Sequence, residues 1–189
     1  MKKRLFFITA AILLMGFTSF AQEFKANTVK SELKWTGKKV TGEHWGFIAI
    51  KEGKLTLKKD KITSGEFIID MNNMTCKDLT DETYNQKLIG HLKSDDFFSV
   101  EKYPTAKLVI TESGSFAKGE ATVNGKLTIK NITHPISFKA TKTGNTYVAQ
   151  IIVDRSKYEV KYGSGKFFAG LGDNLIYDDF ILDVKLVVE

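Results

Sequence analysis

The residues whose types invite a chemical reading are three histidines, one cysteine and a few charged pairs. His44 stands in Gly42-Glu43-His44-Trp45-Gly46, an imidazole beside an indole, framed by glycines. Asp154-Arg155 closes the apolar run Ile151-Ile152-Val153, with Tyr158 and Tyr162 close behind. An Asp-Arg pair at the end of an apolar strand has two readings. One is a salt bridge at a rim. The other is a polar anchor for a ligand head group at the mouth of an apolar pocket. His44, Asp154 and Arg155 are therefore the candidate polar rim.

The other chemistry-bearing groups form no recognised pattern. His44, His91 and His134 are far apart, with no H-x-H, H-E-x-x-H or Cys/His cluster, so no metal site is expected. Cys76 reads as a small buried apolar residue. Gly163-Ser164-Gly165-Lys166 resembles the end of a phosphate-binding loop, but Val160 stands where its first glycine belongs. Asp95-Asp96 and Asp178-Asp179 are adjacent pairs, which point to opposite faces of a strand and make poor acid/base dyads. Gly-x-Ser-x-Gly is absent. The expectation is no catalytic residue, no cofactor and no enzyme.

The elements that must position these groups read as strands. Leu33 and Trp35 alternate with polar residues, as do Leu55 and Leu57, Leu127 and Ile129, and Ile136, Phe138 and Ala140. Period-two alternation marks a strand with one wet and one buried face. Other runs are apolar on both faces: Phe67-Ile68-Ile69, Leu108-Val109-Ile110, Ile151-Ile152-Val153 and Leu186-Val187-Val188. These need cover from a helix, a loop or a second subunit. Turn signals fall at Glu52-Gly53, Asp60-Lys61, Ser64-Gly65, Ser113-Gly114, Asn124-Gly125 and Gly144-Asn145. Pro104 and Pro135 each read as preceding a strand. Eight or nine short strands with regular turns predict an all-β antiparallel barrel or sandwich, and closing the sheet removes exposed edges. One segment, residues 81–92, repeats Tyr84, Leu88 and Leu92 at helical spacing, with Thr80 as the expected N-cap.

The chain opens with Met1, Lys2, Lys3 and Arg4, then an apolar run over residues 5–17, then Ser19-Phe20-Ala21. This is the pattern of a secretory signal peptide, with cleavage expected after Ala21. The run is short for a membrane span, which needs roughly 20 apolar residues. The expected division is 1–21 signal peptide and 22–189 one β domain, periplasmic or secreted, with no stable membrane anchor after cleavage. The whole chain has 28 Lys and Arg against 22 Asp and Glu, net +6. Three of the basic residues and no acid lie in the signal, so the remainder carries +3. That balance gives no argument for nucleic acid. A single cysteine cannot form an internal disulfide, so stability must come from apolar burial.

Four blocks of sequence resemble the YceI-like family of lipid/polyisoprenoid-binding proteins. The first runs from Trp35-Thr36-Gly37-Lys38-Lys39-Val40-Thr41-Gly42 through Glu43-His44-Trp45-Gly46. The second is Leu88-Ile89-Gly90-His91-Leu92-Lys93-Ser94-Asp95-Asp96-Phe97-Phe98, continuing to Tyr103-Pro104-Thr105-Ala106. The third is Val123-Asn124-Gly125-Lys126-Leu127-Thr128-Ile129. The fourth is Asp154-Arg155-Ser156-Lys157-Tyr158 with Tyr162-Gly163. They occur in the family's order, and the second is the most specific. Ser99 departs from the pattern, since the family often has Asp after the two phenylalanines. The resemblance implies a lipocalin-like antiparallel β-barrel of about eight strands with one short amphipathic helix and a long apolar tunnel. It also implies a periplasmic or secreted protein that binds an isoprenoid or fatty-chain lipid; some members are dimers, so a homodimer is an open expectation.

The residue pattern agrees with non-catalytic binding or transport of a long apolar chain. Each CH₂ kept from water is worth about 0.8 kcal/mol, and a barrel with an apolar interior supplies that shelter. Inward positions expected to line it are Trp35, Phe47, Phe67, Ile69, Leu127, Ile129, Phe138 and Ile152. Two alternatives stay open at this stage. One is a filled barrel with a structural or interaction role. The other is an enzyme using His44, Asp154 and Arg155 on an isoprenoid-type ligand. Alternation alone does not distinguish a hollow interior from a packed one.

Overall fold

The computed structural model describes residues 20–189. Its elements are β1 (Gln22–Lys25), β2 (Glu32–Lys39), β3 (Gly42–Lys58), β4 (Lys61–Met74), α1 (Glu82–Lys93), β5 (Thr105–Ser113), β6 (Glu120–Ile129), β7 (Ile132–Thr143), β8 (Thr146–Asp154) and β9 (Ile176–Val187). Two short 3₁₀ turns, Arg155–Tyr158 and Gly172–Asn174, lie between β8 and β9. All pairings are antiparallel, in the order β1-β3-β2-β9-β8-β7-β6-β5-β4, and β4 returns to pair with β3. Eight strands, β2 to β9, thus close a barrel, with β1 extending the β2 side of β3. The closed barrel with one helix is the lipocalin-like fold the resemblance implies, and it decides between the barrel and the sandwich that the alternation leaves open.

The buried face is continuous around the ring. Leu33, Ile48, Ile50, Leu55, Phe67, Ile110, Val123, Leu127, Ile129, Tyr147, Ile151, Val153 and Leu186 belong to one apolar cluster. Cys76 is a free thiol and is buried, so among the described residues no disulfide assists this core.

Several expected turns are not turns. Gly53, Gly65 and Gly125 lie inside β3, β4 and β6, which makes β3 17 and β4 14 residues long. A Cβ on Gly125 would sit 2.5 Å from the Val109 carbonyl oxygen, and one on Gly53 2.3 Å from the Phe67 ring. Glycine inside a strand marks close approach or a bulge as well as a turn, and β3–β4 pairing shifts register at three places. The connection between β3 and β4 is Lys59–Asp60, at the expected Asp60-Lys61 turn, with Lys59 at φ 55°. Pro104 precedes β5 as expected, but Pro135 lies inside β7 opposite Lys126. There β7 has a partner on one side only, because its pairing with β8 is confined to residues 140–143. A strand with a free edge tolerates a missing donor.

The helix forms where its spacing predicts, one residue late. Its N-cap is Asp81, not Thr80: the Asp81 carboxylate accepts from the Tyr84 amide at 3.0 Å. The expected signal segment lies outside the described residues apart from Phe20 and Ala21. Among the described residues, no helix is long and apolar enough to cross a membrane.

Candidate functional site

The barrel is hollow. A cavity of about 170 Å³ lies toward the end that carries the β2–β3 hairpin, α1 and the 159–175 connection. A second, of about 100 Å³, lies toward the opposite end. Leu33, Ile69, Leu127 and Leu182 line both, so the two are chambers of one apolar interior. At roughly 10–15 Å³ per water-sized site, they hold on the order of twenty such sites, the scale of one chain of about twenty carbons.

Six of the eight expected lining residues stand on these walls. Trp35 and Ile129 line the first chamber, Phe67 and Phe138 the second, and Ile69 and Leu127 both. Phe47 and Ile152 do not. Phe47 lies on the other face of β3 from Ile48, which lines the chamber, and meets Trp45 edge to face at 6.1 Å. Ile152 is 60% exposed, while its neighbours Ile151 and Val153 are buried. Both errors are of parity. Where a strand is apolar on both faces, composition does not say which residue points inward; register does, and here Ile151 pairs with Leu182 on the inner face. Trp35 also has its indole N–H satisfied, donating to the Thr75 carbonyl at 3.0 Å.

The wall of the first, outer chamber is almost wholly apolar, and the polar residues that reach it do so mainly through their carbon atoms. Lys38, Lys39, His44, Arg155 and Tyr177 contribute to its wall, while Leu88 and Leu92 of α1, Phe97 and Phe98 close over it. His44 and Arg155 are thus brought to one chamber. Asp154 is not on its wall, and it is not the ion partner of Arg155. Its carboxylate accepts from the Ser156 amide and from Lys166 Nζ at 2.7 Å. Burial alone would raise the Asp154 pKa, but the bonds from Lys166 and Ser156 outweigh it and hold the carboxyl below its usual range.

Arg155 is 4% exposed. It donates to the carbonyls of Val160 at 2.8 Å, Ile176 at 3.0 Å and Tyr177 at 3.1 Å, with Asp178 at 3.6 Å. Burial lowers its pKa, opposed by Asp178 and Asp154. Arg155 therefore ties both ends of the 159–175 connection to the barrel, and its planar fork suits that task. The sequence shows the charge but not that its partners are main-chain carbonyls.

Two groups escape sequence reasoning altogether. Asp78 accepts from the Trp45 amide at 2.8 Å, lies 2.7 Å from His44 Nδ1, and accepts from the Cys76 thiol at 3.2 Å. Desolvation opposes its charge, but the Trp45, His44 and Cys76 bonds prevail and hold its pKa low. Burial pushes the Cys76 thiol up, and Asp78 adds to that. Tyr147 lines the inner chamber, and its phenol oxygen has no hydrogen-bond partner among the described residues. Burial pushes its pKa up to about 12. No spacing rule links Cys76 and Asp78 to His44 on another strand, and an inward Tyr reads as core.

Comparison with known proteins agrees with the fold. A YceI-like domain matches residues 24–188. A UPF0312 protein of Shewanella denitrificans is 28% identical over 93 residues, 49% of this chain and 46% of the relative. A UPF0312 protein of Pseudomonas putida is 46% identical over 54 residues, 29% of this chain and 28% of the relative. The matched stretch thus spans less than half the length of either relative. Among solved structures, Burkholderia cenocepacia BcnA aligns with a TM-score of 0.62 at 24% identity, covering 87% of this chain and 99% of its own. A polyisoprenoid binding domain from Saccharophagus degradans aligns with a TM-score of 0.57 at 13% identity, covering 88% and 97%. At these identities the structural likeness speaks for the fold alone.

Proposed function

Because the chain belongs to the YceI-like domain family, we propose that its barrel binds one long apolar chain, an isoprenoid or fatty-chain lipid, without chemically changing it. The observation that carries this reading is the pair of apolar chambers sharing Leu33, Ile69, Leu127 and Leu182, with Lys38, Lys39 and His44 at the edge of the first. An amphiphile fits that arrangement tail inward and head outward. The resemblance of the four sequence blocks to the lipid/polyisoprenoid-binding YceI-like family supports the isoprenoid class. A filled barrel would lack the chambers. Catalysis is disfavoured because Arg155 is committed to main-chain carbonyls and Asp154 is off the chamber wall.

The basic, apolar and small-residue pattern of residues 1–21 supports export, so the proposed setting is periplasmic or extracellular. A lipid in that aqueous compartment needs a shield, and a carrier role between membranes follows. Mass spectrometry of an organic extract of the purified protein tests the reading. One chain lipid per protein molecule is expected. Absence of any co-purified lipid, together with no rise in melting temperature on adding geranylgeraniol, would refute it.

A further inference from the structure

We propose that His44, Cys76 and Asp78 form a binding site for one transition-metal cation of the zinc class. His44 Nδ1, Cys76 Sγ and an Asp78 carboxylate oxygen all lie within 4.8 Å of one another. The two shorter separations are 2.7 Å from Nδ1 to Oδ2 and 3.2 Å from Sγ to Oδ1. Around a tetrahedral zinc ion, with bonds of roughly 2.0–2.3 Å, ligand atoms stand about 3.3–3.8 Å apart. The sulfur–oxygen pair is already near that spacing, but it uses Oδ1 while the imidazole faces Oδ2, so the carboxylate must turn to offer one oxygen or bind through both. The imidazole and carboxylate must part by about half an ångström or slightly more to admit the ion.

The donor types choose the class of cation. One thiolate sulfur, one imidazole nitrogen and one carboxylate oxygen suit zinc and its neighbours, and sulfur and nitrogen are poor ligands for calcium or magnesium. The scaffold around them is firm. The Trp45 amide donates to Asp78 Oδ1 at 2.8 Å, orienting the carboxylate from outside the cluster. Gly46 lets the chain at Thr75 press close: a Cβ there would lie 1.8 Å from the Thr75 oxygen. That approach brings the Cys76 and Asp78 segment onto β3, beside His44.

The plain alternative is a hydrogen-bonded clasp, in which the Asp78 carboxylate accepts from the Trp45 amide, the thiol and the imidazole. The two differ in proton count. Loading the metal expels the Cys76 thiol proton, and the imidazole proton if it is charged, to solvent. Three protein donors leave one coordination position for water or an anionic group, the open arrangement of non-structural zinc sites. His44 also contributes to the wall of the outer chamber, so the ion would add positive charge beside the mouth. The site stands on its own geometry, whether or not the barrel holds a lipid.

The test uses the purified chain, stripped with chelator, reduced and kept under nitrogen. Calorimetric titration with zinc is expected to give one ion per chain, with a heat that varies with the ionisation enthalpy of the buffer. Cobalt is expected to give a near-ultraviolet thiolate charge-transfer band. Cys76→Ser is expected to lose that band, and both Cys76→Ser and Asp78→Asn are expected to weaken zinc by at least about a hundredfold. His91→Ala, outside the cluster, is expected to bind as the parent does. Should Cys76→Ser not fold, the parent answers alone: zinc is expected to slow alkylation of its single thiol at least tenfold. No zinc binding, zinc binding unchanged in folded Cys76→Ser, or a thiol that zinc does not protect would each overturn the proposal.

Discussion

Leu127 sits on the wall of both chambers and is 7% exposed, so enlarging it should divide the interior. Leu127→Trp is the perturbation. In the parent, chambers of about 170 and 100 Å³ set the limit. At roughly 10–15 Å³ per water-sized site the first alone holds about eleven to seventeen sites and the second about seven to ten. A series of linear alcohols from eight to twenty-four carbons, measured by competition with a fluorescent fatty-chain probe, therefore has a defined shape. Each added CH₂ contributes up to about 0.8 kcal/mol, a factor of about four in affinity, less what ordering the chain costs. Affinity should climb and then level near about twenty carbons in the parent. In Leu127→Trp it should level several carbons earlier, near about fourteen, with short alcohols little affected. The bulkier side chain moves into existing space, which limits the overpacking cost of about 1–3 kcal/mol met in filled cores. Equal plateaus in the two proteins, or no dependence on length in the parent, would refute a continuous two-chamber interior.

Other outcomes follow from single residues. Tyr147→Phe removes a buried hydroxyl without a partner among the described residues, so the empty protein should gain about 1 kcal/mol and melt about 2–4 °C higher; a lower melting temperature would show that the hydroxyl is satisfied. The same phenol titrates near 10 unfolded and about 12 folded, so its contribution is complete below pH 10 and is lost as pH rises toward 12. The parent should therefore lose on the order of 2 kcal/mol more than Tyr147→Phe across that window, read by urea melts at each pH. Lys39→Glu, at the chamber mouth, should weaken geranylgeranyl phosphate by roughly five- to tenfold at low salt, less at high salt, and leave geranylgeraniol unchanged; equal loss for both would remove the head from the mouth. Asp81→Ala deletes the helix cap at Tyr84 and should cost about 1 kcal/mol, with faster amide exchange in the first turn of α1 as the direct readout.

The fold was legible because its cue is local. Leu33 and Trp35, Leu127 and Ile129, and Ile136 and Phe138 each alternate with polar neighbours, and each pair points inward. The cue fails where both faces are apolar, so it places Phe47 and Ile152 on the wrong face. Glycine is ambiguous for a physical reason: the freedom that makes a turn also permits the close approach seen at Gly53 and Gly125. The candidate site was legible only in its apolar part. Arg155 is bound through backbone carbonyls, which have no sequence signature, and Asp78 meets His44 only because Thr75 and Lys77 donate their amides to Phe47 and Trp45 of β3. Hollowness depends on how side chains fill the ring, and alternation says nothing of that.

The most direct measurement is of contact between chain and wall. The protein is labelled at Ile and Leu methyls and loaded with one equivalent of geranylgeraniol. Nuclear Overhauser effects from the ligand to Leu127 and Leu182, which line both chambers, and to Ile129 and Ile136, which line one each, are the predicted result. Effects confined to Ile152 on the outer face, or no effects at any of these methyls despite measurable binding, would contradict an internal lipid site.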